Sequence, residues 1–138
     1  MTKEELKTIL PHREPMLLLD EADQTGENSA EGHYTVRGDE WFLKGHFPGY
    51  PIVPGVIQCE MLAQTCCLPL KEQLKGKTPL YAGMNKVRFH GQVRPGDTLI
   101  LKCEITKSRP PFYFASGKGY VKDKMVVSGE FSFAVSEK

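Results

Sequence analysis

Long apolar runs are missing from this chain. No stretch of about 18 apolar residues occurs, so no membrane-crossing helix is expected. The opening decapeptide MTKEELKTIL lacks the apolar centre of an export signal. Excess charge is missing too: the formal net charge is +1, which argues against a general nucleic-acid or anionic-membrane binder. There is no GxGxxG, no phosphate-binding loop and no metal-ligand spacing, so neither a cofactor nor a metal is indicated. The four cysteines, Cys59, Cys66, Cys67 and Cys103, form neither a CxxC pair nor a zinc knuckle. Three of them fall in an apolar segment, where a thiol acts as a small hydrophobe, and all four are read as reduced. With no export signal, the cytoplasm is the expected compartment. No internal repeat or low-complexity segment is present.

What remains is ordinary globular composition, 40% hydrophobic and 25% charged, over 138 residues. That length suits one domain spanning residues 1–138, which buries roughly 70% of its unfolded surface without staples.

Thr2 with Glu5 three residues on is a capping-box pattern, and predicts a short helix over 3–9 ended by Pro11. Residues 16–22 and 30–37 read as strands. In the second, His33, Thr35 and Arg37 share one face while Tyr34 and Val36 share the other. A helix is predicted from Pro54 or Gly55 to about Leu74. It is nearly all apolar between 55 and 70, which predicts burial on most sides. Pro69 should kink it or alter its last turn, and Gly76 should stop it. Further strands are predicted at 80–93, 98–107, 112–122 and 125–135, with Gly83 and Gly91 as candidate bulges. Arg94-Pro95-Gly96-Asp97 is a turn of type II composition. The outline is two strands, one long buried helix and four more strands joined by hairpins. It predicts an α+β fold in which an antiparallel sheet curls around one central helix.

The stretch between the two halves carries the chemistry. Gly45-His46-Phe47-Pro48-Gly49-Tyr50-Pro51 is too rich in proline and glycine for regular structure. It holds one histidine, and the helix after it holds one early carboxylate, Glu60. The two are a candidate base and acid. Each has a plain alternative: a hydrogen-bonded loop histidine, and a solvated helical glutamate. Apolar neighbours make the second alternative the weaker one.

Four stretches also carry a family resemblance. They are Leu10-Pro11-His12-Arg13 with Pro15 and Leu17-Leu18-Leu19-Asp20; Gly45-His46-Phe47-Pro48-Gly49 with Pro51-Ile52 and Pro54-Gly55-Val56; Glu60 with Ala63-Gln64; and Lys86-Val87-Arg88-Phe89 with Arg94-Pro95-Gly96-Asp97. With them the chain resembles the hotdog-fold thioester dehydratases, specifically the beta-hydroxyacyl-acyl carrier protein dehydratases of FabZ type. It departs from the usual pattern at Glu14, Met16, Glu21, Gln58-Cys59, Met84-Asn85 and Pro69.

The resemblance implies the hotdog fold. It also implies dehydration of 3-hydroxyacyl thioesters on acyl carrier protein to trans-2-enoyl thioesters, in fatty-acid or related polyketide or lipid synthesis, without a cofactor. It implies a homodimer, often assembled as a trimer of dimers, with the histidine and acid of each site on different protomers.

In those terms His46 is the base for the alpha proton. Glu60 is the acid for the departing hydroxide, helped by apolar surroundings that favour its protonated form. His46 handling both protons, with Glu60 orienting water, is the alternative. The Gly55 N–H at the helix start suits the oxyanion, with a tight-turn role as the alternative. Gln64, one turn past Glu60, is expected to orient it, to bond the partner's backbone, or to be a satisfied core amide. Phe47, Val53, Ile57 and Met61 are candidates for the acyl channel or for core. Acidic carrier protein calls for a basic dock, for which Lys107, Arg109 and Lys118 are the candidates, against plain surface charge. His12, His33 and His90 are read as structural or surface residues. A hotdog acyl thioesterase and a non-catalytic acyl-binding subunit are the alternative functions.

Overall fold

The computed structural model describes residues 1–137. Helix α1 (Lys3–Leu6) opens on the expected capping box. The Glu5 N–H donates to Thr2 Oγ1 at 3.3 Å, and the Thr2 N–H donates to Glu5 Oε1 at 2.9 Å. The helix is shorter than its pattern suggests and continues as turns that bury Leu6 and Leu10.

Six strands follow: β1 (Glu21–Gln24), β2 (Ser29–Thr35), β3 (Thr78–Phe89), β4 (Thr98–Arg109), β5 (Phe112–Val121) and β6 (Lys124–Ser136). They form one sheet of order β1-β2-β4-β5-β6-β3, antiparallel at every pairing. Pro110 and Pro111 turn β4 into β5. Lys122 and Asp123, with φ of 50° and 64°, turn β5 into β6 as the two central residues of a type I′ hairpin, which takes positive φ at both. Gly96, with φ of 93°, and the Asp97 N–H to Arg94 carbonyl bond of 3.0 Å make the type II turn before β4.

Helix α2 (Gly55–Cys66) lies against β4, β5, β2 and β6. Leu99, Leu101, Cys103 and Ile105 alternate along β4 and are all buried facing the core. Each of the fully buried Met61, Leu62 and Leu68 contributes about 1.5–3 kcal/mol. Helix and sheet approach closely at Gly32, where an added Cβ would stand 2.6 Å from Thr65 Oγ1. All four cysteines are buried and free. Burial raises the thiols of Cys59, Cys66 and Cys67 above their ordinary range, which keeps them unreactive.

Three expected boundaries move. Helix α2 ends at Cys66 rather than near Leu74, because Pro69 has no N–H for an α-helical bond. The chain instead takes a 3-10 turn at Leu68–Leu70 and runs through turns to Gly76, whose φ is 69°. The expected strand at 16–22 starts only at Glu21. The Met16 carbonyl and Leu18 N–H are bonded to the Gln64 side chain instead of a neighbouring strand, so Leu17, Leu18 and Leu19 are buried as coil. Strand β3 shifts register between Tyr81 and Gly83, as expected of Gly83, but ends before Gly91.

One edge of the sheet is β3. It pairs with β6 on one side, and leaves Leu80, Met84 and Phe89 more than half exposed.

Candidate active site

The loop at 44–54 hangs from a well-anchored turn. Glu40 accepts from the Arg37 N–H, the Gly38 N–H and the Tyr34 hydroxyl, all within 2.7–2.8 Å. Burial opposes its charge, but these three donors outweigh it and hold the carboxyl below its usual range. Burial first, and then the Glu40 contact, push the Tyr34 hydroxyl well up, so it stays a donor. Past Glu40 a 3-10 turn, Trp41–Leu43, buries Phe42 and Leu43, and the His46 N–H bonds the Leu43 carbonyl at 3.1 Å.

His46 is held at both ends. Its carbonyl accepts from the Ile52 N–H at 2.9 Å, and its Nδ1 lies 3.1 Å from the Ile52 carbonyl. A carbonyl only accepts, so Nδ1 carries a proton, and Nε2 is the ring nitrogen left to act as a base. Phe47 stacks on the imidazole at 4.2 Å and is half exposed. The ring faces a cleft of about 590 Å³, whose wall includes Val53, Gly55, Gln58, Phe89 and His90. Helix α2 begins in that wall. No side chain caps it, and the Gly55 N–H has no hydrogen-bond partner among the described residues. A Cβ on Gly55 would stand 2.6 and 2.7 Å from the Phe89 ring, so the glycine lets that ring close over the helix start.

Glu60 opens elsewhere, on a cavity of about 50 Å³ shared with His12, Ala63, Cys67 and Tyr81. Gln64 Nε2 donates to Glu60 Oε2 at 3.0 Å and to the Met16 carbonyl at 2.7 Å, while Gln64 Oε1 accepts from the Leu18 N–H at 2.9 Å. Gln64 is therefore a satisfied buried amide in contact with Glu60, and the backbone it bonds is its own chain's. Tyr81 caps the Cys59 carbonyl beside the cavity at 2.7 Å.

His12 is the residue the sequence pattern passes over. Its Nε2 lies 3.3 Å from Glu60 Oε2, and its Nδ1 is buried without a hydrogen-bond partner among the described residues. It is part-buried against the candidate acid rather than a surface group. No spacing signals this, because the contact joins a connector after α1 to the middle of α2. Glu60 Oε1 has no hydrogen-bond partner among the described residues.

The structure therefore gathers His46, Val53 and Gly55 in one cleft, stacks Phe47 on its rim, and sets Glu60 and Gln64 in a second cavity. Ile57 and Met61 are buried in the core. His90 joins the cleft wall, with Nε2 at 3.1 Å from Ser128 Oγ. His33 pairs with Glu31 at 3.1 Å on the sheet. Lys107 and Arg109 stand together at the β4–β5 turn. Lys118 sits opposite Lys102, seven residues back along β4 from Arg109 and so about 23 Å away.

A FabA-like domain matches residues 10–130, and the chain belongs to that family. It is 46% identical over 137 residues to the 3-hydroxyacyl-acyl-carrier-protein dehydratase FabZ of Clostridium perfringens, covering 98% of this chain and 99% of that one. It is 42% identical over 138 residues to the protein of the same description from Clostridioides difficile, covering 98% and 97%. Among solved structures it is similar to the dehydratase heterocomplex ApeI:P from Xenorhabdus doucetiae. There the TM-score is 0.81 at 22% identity, over 94% of this chain and 89% of that one. The fold is the hotdog.

Proposed function

We propose that the protein is a 3-hydroxyacyl-acyl carrier protein dehydratase of fatty-acid synthesis, working as a homodimer whose two sites are each shared between subunits. The observation that supports the chemistry is that His46 and Gly55 line one cleft, with His46 Nδ1 bonded to Ile52 and the Gly55 N–H unpartnered among the described residues. His46 Nε2 takes the alpha proton. The thioester oxygen gains charge and is held by the Gly55 N–H, aided by the positive end of α2. The C–O bond at the beta carbon then breaks, and the hydroxyl leaves as water with a proton from Glu60 Oε1. His46 gains a proton, Glu60 loses one, and transfer between them resets the site.

Within one chain Glu60 opens on its own cavity, away from the His46 cleft. That separation favours an acid supplied by the partner subunit. The unpaired β3 edge, with Leu80, Met84 and Phe89 exposed along it, is suited to pairing with a second copy. Val53, Phe47 and Phe89 then border the acyl chain, and Gln64 positions Glu60. Lys107 and Arg109 are the better half of the basic dock for acidic carrier protein; Lys118 is a separate charge. The four free thiols accord with the cytoplasm.

The test is turnover of a 3-hydroxyacyl carrier-protein thioester by the purified protein. Enoyl thioester should form and His46→Ala should lose it, by about 10²–10⁴-fold. Free thiol release without enoyl formation, or unchanged turnover in His46→Ala, would overturn the assignment.

A further inference from the structure

Gln58 stands on α2 one turn past Gly55, at 3% exposure, where an apolar side chain would be expected. Its amide cannot be flipped. Nε2 donates to the Val53 carbonyl at 3.2 Å, and because a carbonyl only accepts, the nitrogen must face it and the oxygen must face away. Oε1 is then buried with no hydrogen-bond partner among the described residues. Val53 and Gln58 both belong to the wall of the cleft that holds His46 and Gly55. Oε1 itself has almost no accessible surface, so a donor from the cleft meets it only as the wall gives way, and would then satisfy a buried acceptor that no described residue satisfies.

This inference rests on the dehydratase function proposed above, which puts the thioester oxygen at the Gly55 N–H and the alpha carbon at His46. The acyl group then has one polar hydrogen near the same wall, that of its 3-hydroxyl. The carbon bearing it is two bonds from the carbonyl carbon. From Gly55 to Gln58 the helix advances about 4.5 Å, so one chain can meet both residues. The other donors of the substrate, the pantetheine amides and the pantoyl hydroxyl, lie on the far side of the sulfur.

We propose that Gln58 is a substrate-positioning residue whose Oε1 accepts a hydrogen bond from the 3-hydroxyl and turns the hydroxyl oxygen's lone pairs toward the acid. The bond tightens as the C–O bond breaks, because a hydroxyl that is gaining a proton is a stronger donor. Nothing is transferred to Gln58, and the hydroxyl leaves as water with the proton from Glu60. The same contact selects for the 3-hydroxyacyl chain, since a saturated chain of equal length leaves Oε1 buried and unpaired.

Equilibrium binding of two pantetheine amides tests it. 3-Hydroxybutyryl and butyryl pantetheine amide carry nitrogen in place of sulfur, which makes the alpha carbon too weakly acidic to eliminate. The wild-type protein should prefer the hydroxy compound by about tenfold. Gln58→Met, close in volume but without the acceptor, should erase the preference by weakening the hydroxy compound alone. A wild-type protein with no preference would overturn the proposal whether or not the variant folds. So would an equal loss for both compounds, the mark of a structural role through Val53. A change in subunit association with the preference intact would assign Oε1 to the partner and overturn it as well. Discrimination without dehydration of the thioester would overturn the dehydratase function and leave the Gln58 contact standing.

Discussion

Gln64 Nε2 donates to Glu60 Oε2 at 3.0 Å while Gln64 Oε1 takes the Leu18 N–H at 2.9 Å, so one fully buried amide fixes both the candidate acid and the chain segment beside it. With His12 at 3.3 Å on the same carboxyl oxygen, Glu60 is left with Oε1 as its free end.

Gln64→Met should therefore act on stability and on turnover together. It removes three hydrogen bonds and leaves the Leu18 N–H buried and unpaired, a loss of about 2–4 kcal/mol on urea unfolding. Substrate KM should stay near its wild-type value while kcat falls, since the acid is misplaced but the His46 cleft is untouched. A stable variant with full kcat would show that Glu60 needs no such support.

Gly55→Ala should do the reverse. The new Cβ meets the Phe89 ring at 2.6 Å, but that ring is half exposed and can swing aside. The melting temperature should change little. The displaced ring should crowd the cleft, raising KM and lowering kcat/KM by about tenfold or more. Trimming the ring in Gly55→Ala/Phe89→Ala should restore much of the loss in KM.

Glu40 supplies the pH dependence. Both its oxygens accept hydrogen bonds, so an amide there would turn its NH₂ toward a donor. Glu40→Gln should cost about 1–3 kcal/mol at neutral pH. The folded carboxyl titrates below the unfolded one, so its contribution is complete above the unfolded value, about 4.3, and is lost as pH falls through the folded one. Wild type and variant should differ in Tm at neutral pH and converge in acid. A gap constant down to the acid limb would contradict the network.

Much of this was legible in the sequence because it rests on local rules. Thr2 and Glu5 name the first cap, Leu99 to Ile105 give β4 its period of two, and Pro69 marks where α2 breaks. His46, Gly55 and Glu60 stand on one short stretch and advertise themselves. What was not legible depends on tertiary partners. Leu17-Leu18-Leu19 looks like a strand until Gln64 takes its backbone groups. His12 looks incidental until the fold brings it to Glu60. Gln58 looks like one more polar residue on a helix until its oxygen is found without a donor. Lys118 looks like a neighbour of Arg109 until the β4–β5 register separates them.

The central claim is that one chain supplies the base and another the acid. His46→Ala and Glu60→Gln proteins should each be nearly inactive alone. Unfolded together and refolded as a mixture, half of the dimers pair one variant with the other. Each such dimer has one intact site of its two, so activity should return to about a quarter of wild type. A mixture that assembles as dimers and stays as inactive as its parents would contradict the shared site.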